Sequence, residues 1–244
     1  MATGARSRVC AMSYLRRSPL AAAALFAALF AAGCGSSSPS GNGVESKSAT
    51  QILEATKLAA SEATSVHIAG SLVSGGKPIT LDMELLAGKG GKGKIGQEGF
   101  TIELVQTEGS VYINGSAAFY RHVGGTAAAQ LLQGRWLKAP SGSGELASLA
   151  SLTNLSKLID TALANHGSLV KGAKTTIEGQ PAIAVSDTAK GGTLYVATTG
   201  KALPLEIAKS GPESGKVLLN RWNQPVTLTP PKNAIDISKL QSGG

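Results

Sequence analysis

The chain is poor in the residues that most often carry chemistry or cross-links. Of its 244 residues two are cysteine and three histidine, and aromatics make up 4%. His67, His122 and His166 lie too far apart to form a metal-ligand spacing such as H-E-x-x-H, and His67 falls on the wet side of a predicted strand. No G-x-S-x-G elbow occurs, and Asp82 and Glu84, two apart on a predicted strand, share a solvated face rather than forming an acid/base pair. These gaps leave no constellation for an enzyme, a metal or a cofactor. With 42% hydrophobic and 16% charged residues, collagen, a long coiled coil and a disordered acidic tail are excluded too.

The formal charge of +8 would suggest a nucleic-acid partner if it were spread over the fold, but half of it is local. Arg6, Arg8, Arg16 and Arg17 all precede residue 33, with no acidic residue among them. From Cys34 onward 19 Lys and Arg face 15 Asp and Glu, so 19 − 15 leaves +4, and no nucleic-acid partner is expected. After the arginines an apolar run spans Leu20 to Ala32 and ends at Gly33-Cys34-Gly35. Thirteen residues rise about 20 Å as a helix, short of a ~30 Å hydrocarbon core, so the segment reads as an export signal over 1–33. Met12 is an alternative start, since Met12-Ser-Tyr-Leu-Arg-Arg alone supplies a basic head. No later run nears the roughly 18 consecutive apolar residues of a membrane helix.

Ala31-Ala32-Gly33-Cys34 resembles a bacterial lipobox, in which small residues allow cleavage immediately before a cysteine. By that resemblance Cys34 becomes a diacylglyceryl-bearing N-terminus, with Ala31 standing where leucine is commoner. Cys10 leaves with the signal, so no intramolecular disulfide can form. The Ser/Gly-rich stretch Ser36 to Gly43 belongs to a flexible tether over 34–47. The anchor would place the protein on the outer face of the cell membrane, because two or three acyl chains at about 0.8 kcal/mol per CH₂ hold durably.

The period of the apolar pattern organises the rest as one domain over 48–240. Ser48-Ala-Thr-Gln51 has the form of a capping box, and Ile52, Leu53, Ala55, Ala59, Ala60 and Ala63 predict a helix over 49–64. Val66, Ile68, Gly70 and Leu72, then Ile79, Leu81, Met83 and Leu85 beyond a Ser74–Lys77 turn, alternate with polar or small residues as a hairpin with one wet face. Further strands are predicted at 92–97, 100–107 and 110–114, a short helix at 126–132 and an extended piece at 135–138. One long helix is predicted over 145–165, where Leu146, Leu149, Leu152, Leu155, Ile159 and Leu163 form a stripe. Strands return at 176–178, 182–187, 193–198, 203–209 and 216–222. Helix, strands, helices, strands is an α+β order, with a large antiparallel sheet and its helices on one face.

The glycine-rich stretch Gly88 to Lys94 spaces Gly88, Gly93 and Lys94 as a phosphate loop would. Ile95 stands where Ser or Thr must hold Mg²⁺, and a strand follows instead of a helix, so a solvated hairpin is favoured. The remaining alternative is contact of Lys89, Lys92 and Lys94 with anionic lipid headgroups, at about 1 kcal/mol each.

The lipobox and tether, the helix leading into Ser65-Val-His-Ile-Ala-Gly-Ser-Leu72, Gly109-Ser-Val-Tyr-Ile-Asn-Gly115 and Gly134-Arg-Trp-Leu-Lys-Ala-Pro140 together resemble the LppX/LprG family of envelope lipoproteins. The similarity continues through Gly179-Gln-Pro-Ala-Ile-Ala-Val185, Gly192-Thr-Leu-Tyr-Val-Ala197, Leu203-Pro-Leu-Glu-Ile207 and Trp222 to Pro231. The resemblance implies the fold shared with LolA, LolB and RseB: a curved antiparallel half-barrel sheet with helices packed on its concave face. It further implies an apolar cavity that holds the acyl chains of an envelope lipid or glycolipid cargo, transport of that cargo to the outer envelope, and a place for a membrane transporter as partner. On this reading the cavity is expected to be lined by Ile68, Leu72, Leu81, Met83, Phe100, Ile102, Leu104 and Val111, with Leu149, Leu152 and Ile159 from the helix. Small inward residues are equally compatible with a dry, closely packed core. The alternative function is an RseB-like envelope sensor that regulates a membrane partner protein.

Overall fold

The structure, a computed structural model, describes residues 41–142 and 150–241. The expected export signal, Cys34, Leu149 and the start of the expected long helix lie outside the described residues. Strands β1 (Ser65–Ser74), β2 (Lys77–Leu86), β3 (Gly90–Gln97), β4 (Phe100–Thr107), β5 (Ser110–Gly115) and β6 (Leu137–Pro140) follow one another as an antiparallel meander. A second meander comprises β7 (Leu169–Ile177), β8 (Gln180–Asp187), β9 (Gly192–Ala197), β10 (Pro204–Lys209) and β11 (Gly215–Asn220). Antiparallel pairing of β1 with β11 welds the two, and β12 (Ile235–Asp236) adds to β6 in parallel. The result is one open, curved sheet of twelve strands, in the order β12-β6-β5-β4-β3-β2-β1-β11-β10-β9-β8-β7.

Register makes the apolar alternation continuous across strands. Ile68 stands opposite both Leu219 and Met83, Met83 opposite Gly93, Gly93 opposite Leu104, and Leu104 opposite Ile113. One face of the sheet therefore collects the apolar side chains of both meanders in a single core, which includes Leu85, Val111, Ile183 and Val196. Glycines let this face close up. A Cβ at Gly70 would lie 2.1 Å from the Lys216 carbonyl oxygen, and one at Gly93 2.1 Å from that of Asp82, so only glycine permits these backbone approaches.

Helix α1 (Ala49–Ser61) starts with the expected capping box: Ser48 Oγ accepts from Gln51 N–H, and the Gln51 side chain accepts from Ser48 N–H. Its buried residues Ile52, Leu53, Thr56 and Ala60 face the core. Helix α2 (Ala117–Leu132) begins nine residues before the expected start, capped by Ser116, and bends at Gly125, whose φ of 75° is left-handed. Gly124-Gly125 concealed it from a reading based on apolar periodicity. Tyr120 pins it, because the buried phenol oxygen accepts from Gly115 N–H at 3.0 Å; burial pushes that phenol's pKa upward.

The long helix expected over 145–165 is interrupted. Residues 152–154 form a turn, and Asn154 caps a new helix, α3 (Leu155–Ala164), by accepting from Lys157 N–H at 3.0 Å. Leu155, Ile159 and Leu163 are its buried stripe. Strand β7 is nine residues long where only its end was expected, because it is an exposed edge strand with no apolar alternation. A four-residue helix, α4 (Ser238–Gln241), ends the described chain.

Candidate functional site

The core is not filled evenly along the strands. At one end of the inner face Val66, Leu85, Val111 and Val196 are at most 1% exposed, so this half is packed solid. Towards the β1–β2 turn the inward residues open up: Leu85 and Met83 are buried, but Leu81, Ile79 and Leu72 are half-exposed, as is Val217 beside them. Helix α3 does not press flush against this half. An apolar cavity of about 230 Å³ remains, lined by Ile68, Leu72, Leu81, Met83 and Ile95, by Ile207, Val217 and Leu219, and by Leu152, Leu158, Ile159 and Ala162. No polar side chain lines it. Such a space gives bound water no partners and is suited to an alkyl group.

A second space of about 260 Å³ shares Ala162 and Ile207 with the first and continues along α3 towards its C-terminus. Its floor is apolar, with Leu53, Leu163, Leu169, Val185 and Leu194. Its rim is polar, with Asn165, His166, Asp187, Lys190 and Lys209. The Asp187 carboxylate fixes this rim by accepting from the N–H groups of Gly167 (2.8 Å), Ala189 (2.9 Å) and Lys190 (3.1 Å). Those bonds, the one from Gly167 foremost, hold its pKa below the ordinary carboxylate value. Lys190 Nζ donates to the Asn165 carbonyl and side-chain oxygens, tying the β8–β9 turn to the end of α3.

Compared with solved structures, the chain matches LprF from Mycobacterium bovis with a TM-score of 0.53 at 14% identity, covering 75% of this chain and 96% of that one. It also matches the Mycobacterium tuberculosis lipoprotein LppX, with a TM-score of 0.50 at 14% identity, covering 74% and 98%. The chain has the LppX-like fold. No family model and no curated protein matches the sequence.

Within this LppX-like fold six of the eleven residues expected to line a cavity come together around the apolar space: Ile68, Leu72, Leu81, Met83, Leu152 and Ile159. Ile102, Leu104 and Val111 do not; they are at most 8% exposed and belong to the packed core. Phe100 stands apart at the β3–β4 turn, its ring 5.8 Å from Phe119 and 5.6 Å from His122. Leu149 and Cys34 lie outside the described residues. Sequence reasoning missed Ile95, which follows the glycine-rich stretch, and Ile207, Val217 and Leu219, which join the site only through the β1–β11 pairing.

The remaining candidates belong to the outer face. Lys92 and Lys94 pair with Glu84 and Glu103 on neighbouring strands, so these two lysines of the glycine-rich stretch are cross-strand partners, whereas Lys89 lies in the β2–β3 turn. His67 faces outward as expected, yet its side chain is only 15% exposed, with Nδ1 2.8 Å from Asn220 Oδ1 and Nε2 2.8 Å from Asp82 Oδ1. Among the described residues no group of three His, Cys, Asp or Glu could hold a metal ion, and no helix is long and apolar enough to cross a membrane.

Proposed function

We propose that this chain is a membrane-anchored lipoprotein that shields alkyl chains of an envelope lipid or glycolipid and carries it outward from the cell membrane. The observation that carries the proposal is the wholly apolar lining of the space between α3 and the sheet, with a polar rim where a headgroup would emerge. Two further facts support it: the lipobox-like sequence ending at Cys34, and a fold in common with LppX, itself described as a lipoprotein.

The work is burial rather than bond-making. Each methylene moved out of water gains about 0.8 kcal/mol, but the bilayer offers the same gain, so exchange between membrane and cavity is close to thermoneutral. A carrier needs that balance in order to release its cargo. At about 230 Å³ the apolar space lies just under the roughly 300–1,000 Å³ usual for ligand pockets, so as it stands it takes part of an alkyl chain rather than two whole ones. Purification of a form beginning after Cys34, followed by mass spectrometry of its organic extract, tests the reading. A stoichiometric lipid is expected; no lipid in the extract together with no uptake of added lipid overturns it.

A further inference from the structure

The rim of the second space has spent its charge on itself. Lys190 Nζ donates to the Asn165 carbonyl at 3.3 Å and to the Asn165 side-chain oxygen. Lys209 Nζ donates to Glu213 Oε2 at 2.5 Å, an ion pair that joins the end of β10 to the β10–β11 turn. Asp187 turns both oxygens to backbone, Oδ2 to the N–H of Gly167 and Oδ1 to those of Ala189 and Lys190. Two lysines stand against two carboxylates, so the formal charge of this set is 2 − 2 = 0. A phosphate brought here would have to displace a partner before it met a free cation, and a balanced rim offers it no attractive field from a distance.

What the rim leaves unspent is uncharged. His166 Nδ1 lies 3.0 Å from the Gly167 carbonyl oxygen, which can only accept, so Nδ1 carries the proton and the neutral ring keeps Nε2 as an acceptor. Asn165 commits its side-chain oxygen to Lys190, which leaves the two N–H groups of Nδ2 as donors. Both residues line the space at the end of α3, above the apolar floor of Leu163, Leu169 and Val185. A donor and an acceptor on consecutive residues match a hydroxyl group, which accepts and donates at once. An ionised phosphate oxygen only accepts, so it would satisfy Asn165 and confront the lone pair of His166.

We infer that the lipid held here bears an uncharged, hydroxyl-bearing headgroup, seated on Asn165 and His166, and that the self-paired rim rejects lipids headed by a phosphate. This rests on the carrier reading and names its substrate class. The apolar lining cannot make that choice, because equal alkyl chains gain equally by burial whatever headgroup they carry. Phospholipid is the bulk of most bilayers, so a site that chose by its chains alone would fill with it. Discrimination falls to the rim, and it takes the form of a charge-balanced surface on which a phosphate finds its cations already occupied.

Photo-labelling of the full, processed chain on phosphatidylcholine vesicles tests the inference. Donor vesicles supply either monoglucosyl diacylglycerol or phosphatidylglycerol, both with the same diazirine-bearing acyl chains, and the label fixed by light on the peptides of α3 and β10 is measured by mass spectrometry. The glucosyl lipid is expected to label these peptides about fivefold more strongly, or better. Glu213→Gln changes an exposed residue and leaves Lys209 without its carboxylate. It should raise labelling by phosphatidylglycerol about threefold while labelling by the glucosyl lipid stays within about twofold. Equal labelling by the two lipids, or a preference for phosphatidylglycerol, overturns the inference, as does a selectivity that Glu213→Gln leaves unmoved. Labelling by neither lipid overturns the carrier reading itself, so the two failures are distinguishable.

Discussion

Met83 lies directly over Gly93 of the neighbouring strand: a Cβ added at Gly93 would sit 2.7 Å from Met83 Sδ and 2.1 Å from the Asp82 carbonyl oxygen. The second of these contacts is with backbone, which cannot step aside as a side-chain end can. Gly93→Ala is therefore expected to destabilise the fold by about 1–3 kcal/mol through overpacking. The midpoint of urea unfolding reads this out. A midpoint unchanged from the parent would mean that β2 and β3 can separate without cost at this place, and that glycine does not set the closeness of the concave face.

Met83 is also a reporter. The other methionines are Met1 and Met12, so a chain processed before Cys34 retains Met83 alone, and a ¹³C-methyl label gives one signal, from the wall of the cavity. Ala162, which borders both spaces, is the place to block them. Ala162→Phe is expected to cut lipid uptake at least tenfold and to abolish the shift of the Met83 methyl on adding lipid. Because the ring enters existing space, the stability change should stay within about 1 kcal/mol. Full uptake by this variant would place the lipid elsewhere.

Most of the architecture was legible because one face of the sheet is buried and the strands alternate accordingly. Val66–Leu72 and Ile79–Leu85 announce a hairpin by period two, and Ser48–Gln51 announces its helix by a cap that the structure reproduces. Where burial does not write itself into the sequence, the reading ran out. Strand β7 is an exposed edge, α2 hides behind Gly124-Gly125, and Asn154 caps a break inside what reads as one leucine stripe. The cavity was half legible for a related reason. Period two assigns Ile102, Leu104 and Val111 to the inner face, as it does Leu81 and Met83, but does not tell how far along the strands the helices press down on it. That height depends on where α3 begins, and so on the Asn154 cap.

On the outer face Glu206 and Lys216 form an ion pair of unequal burial. Nζ lies 2.9 Å from Oε2, but the Glu206 side chain is 6% exposed and that of Lys216 61%. The hydrogen bond to Glu206 holds the lysine's pKa above its ordinary value, so the pair is intact at neutral pH and its contribution is lost only as pH rises through that raised value. Deleting the two partners should not be equivalent. Lys216→Met leaves a covered carboxylate without its cation, at an expected cost of about 1–3 kcal/mol. Glu206→Gln frees an ammonium that water can reach, at less than about 1 kcal/mol. Equal losses in paired thermal melts at pH 7 would show that solvent reaches Glu206 as freely as Lys216.

Asp187 gives the rim of the second space a pH dependence of known sign. Three backbone N–H groups, that of Gly167 first, stabilise its ionised form and lower its pKa in the folded protein. The unfolded chain, with a carboxyl near the usual value of about 3.9, therefore binds the proton more readily than the folded one. The stabilisation is fully present above that unfolded value and disappears as pH falls through the lower folded one. Asp187→Asn keeps the shape but accepts through one oxygen only, so it should be less stable than the parent at pH 7. The difference should narrow steadily below about pH 4. Melting temperatures of both proteins from pH 7 down to pH 2 give the comparison, and a gap that stays constant through that range would mean that the carboxylate charge does not hold the Gly167 and Lys190 loops together.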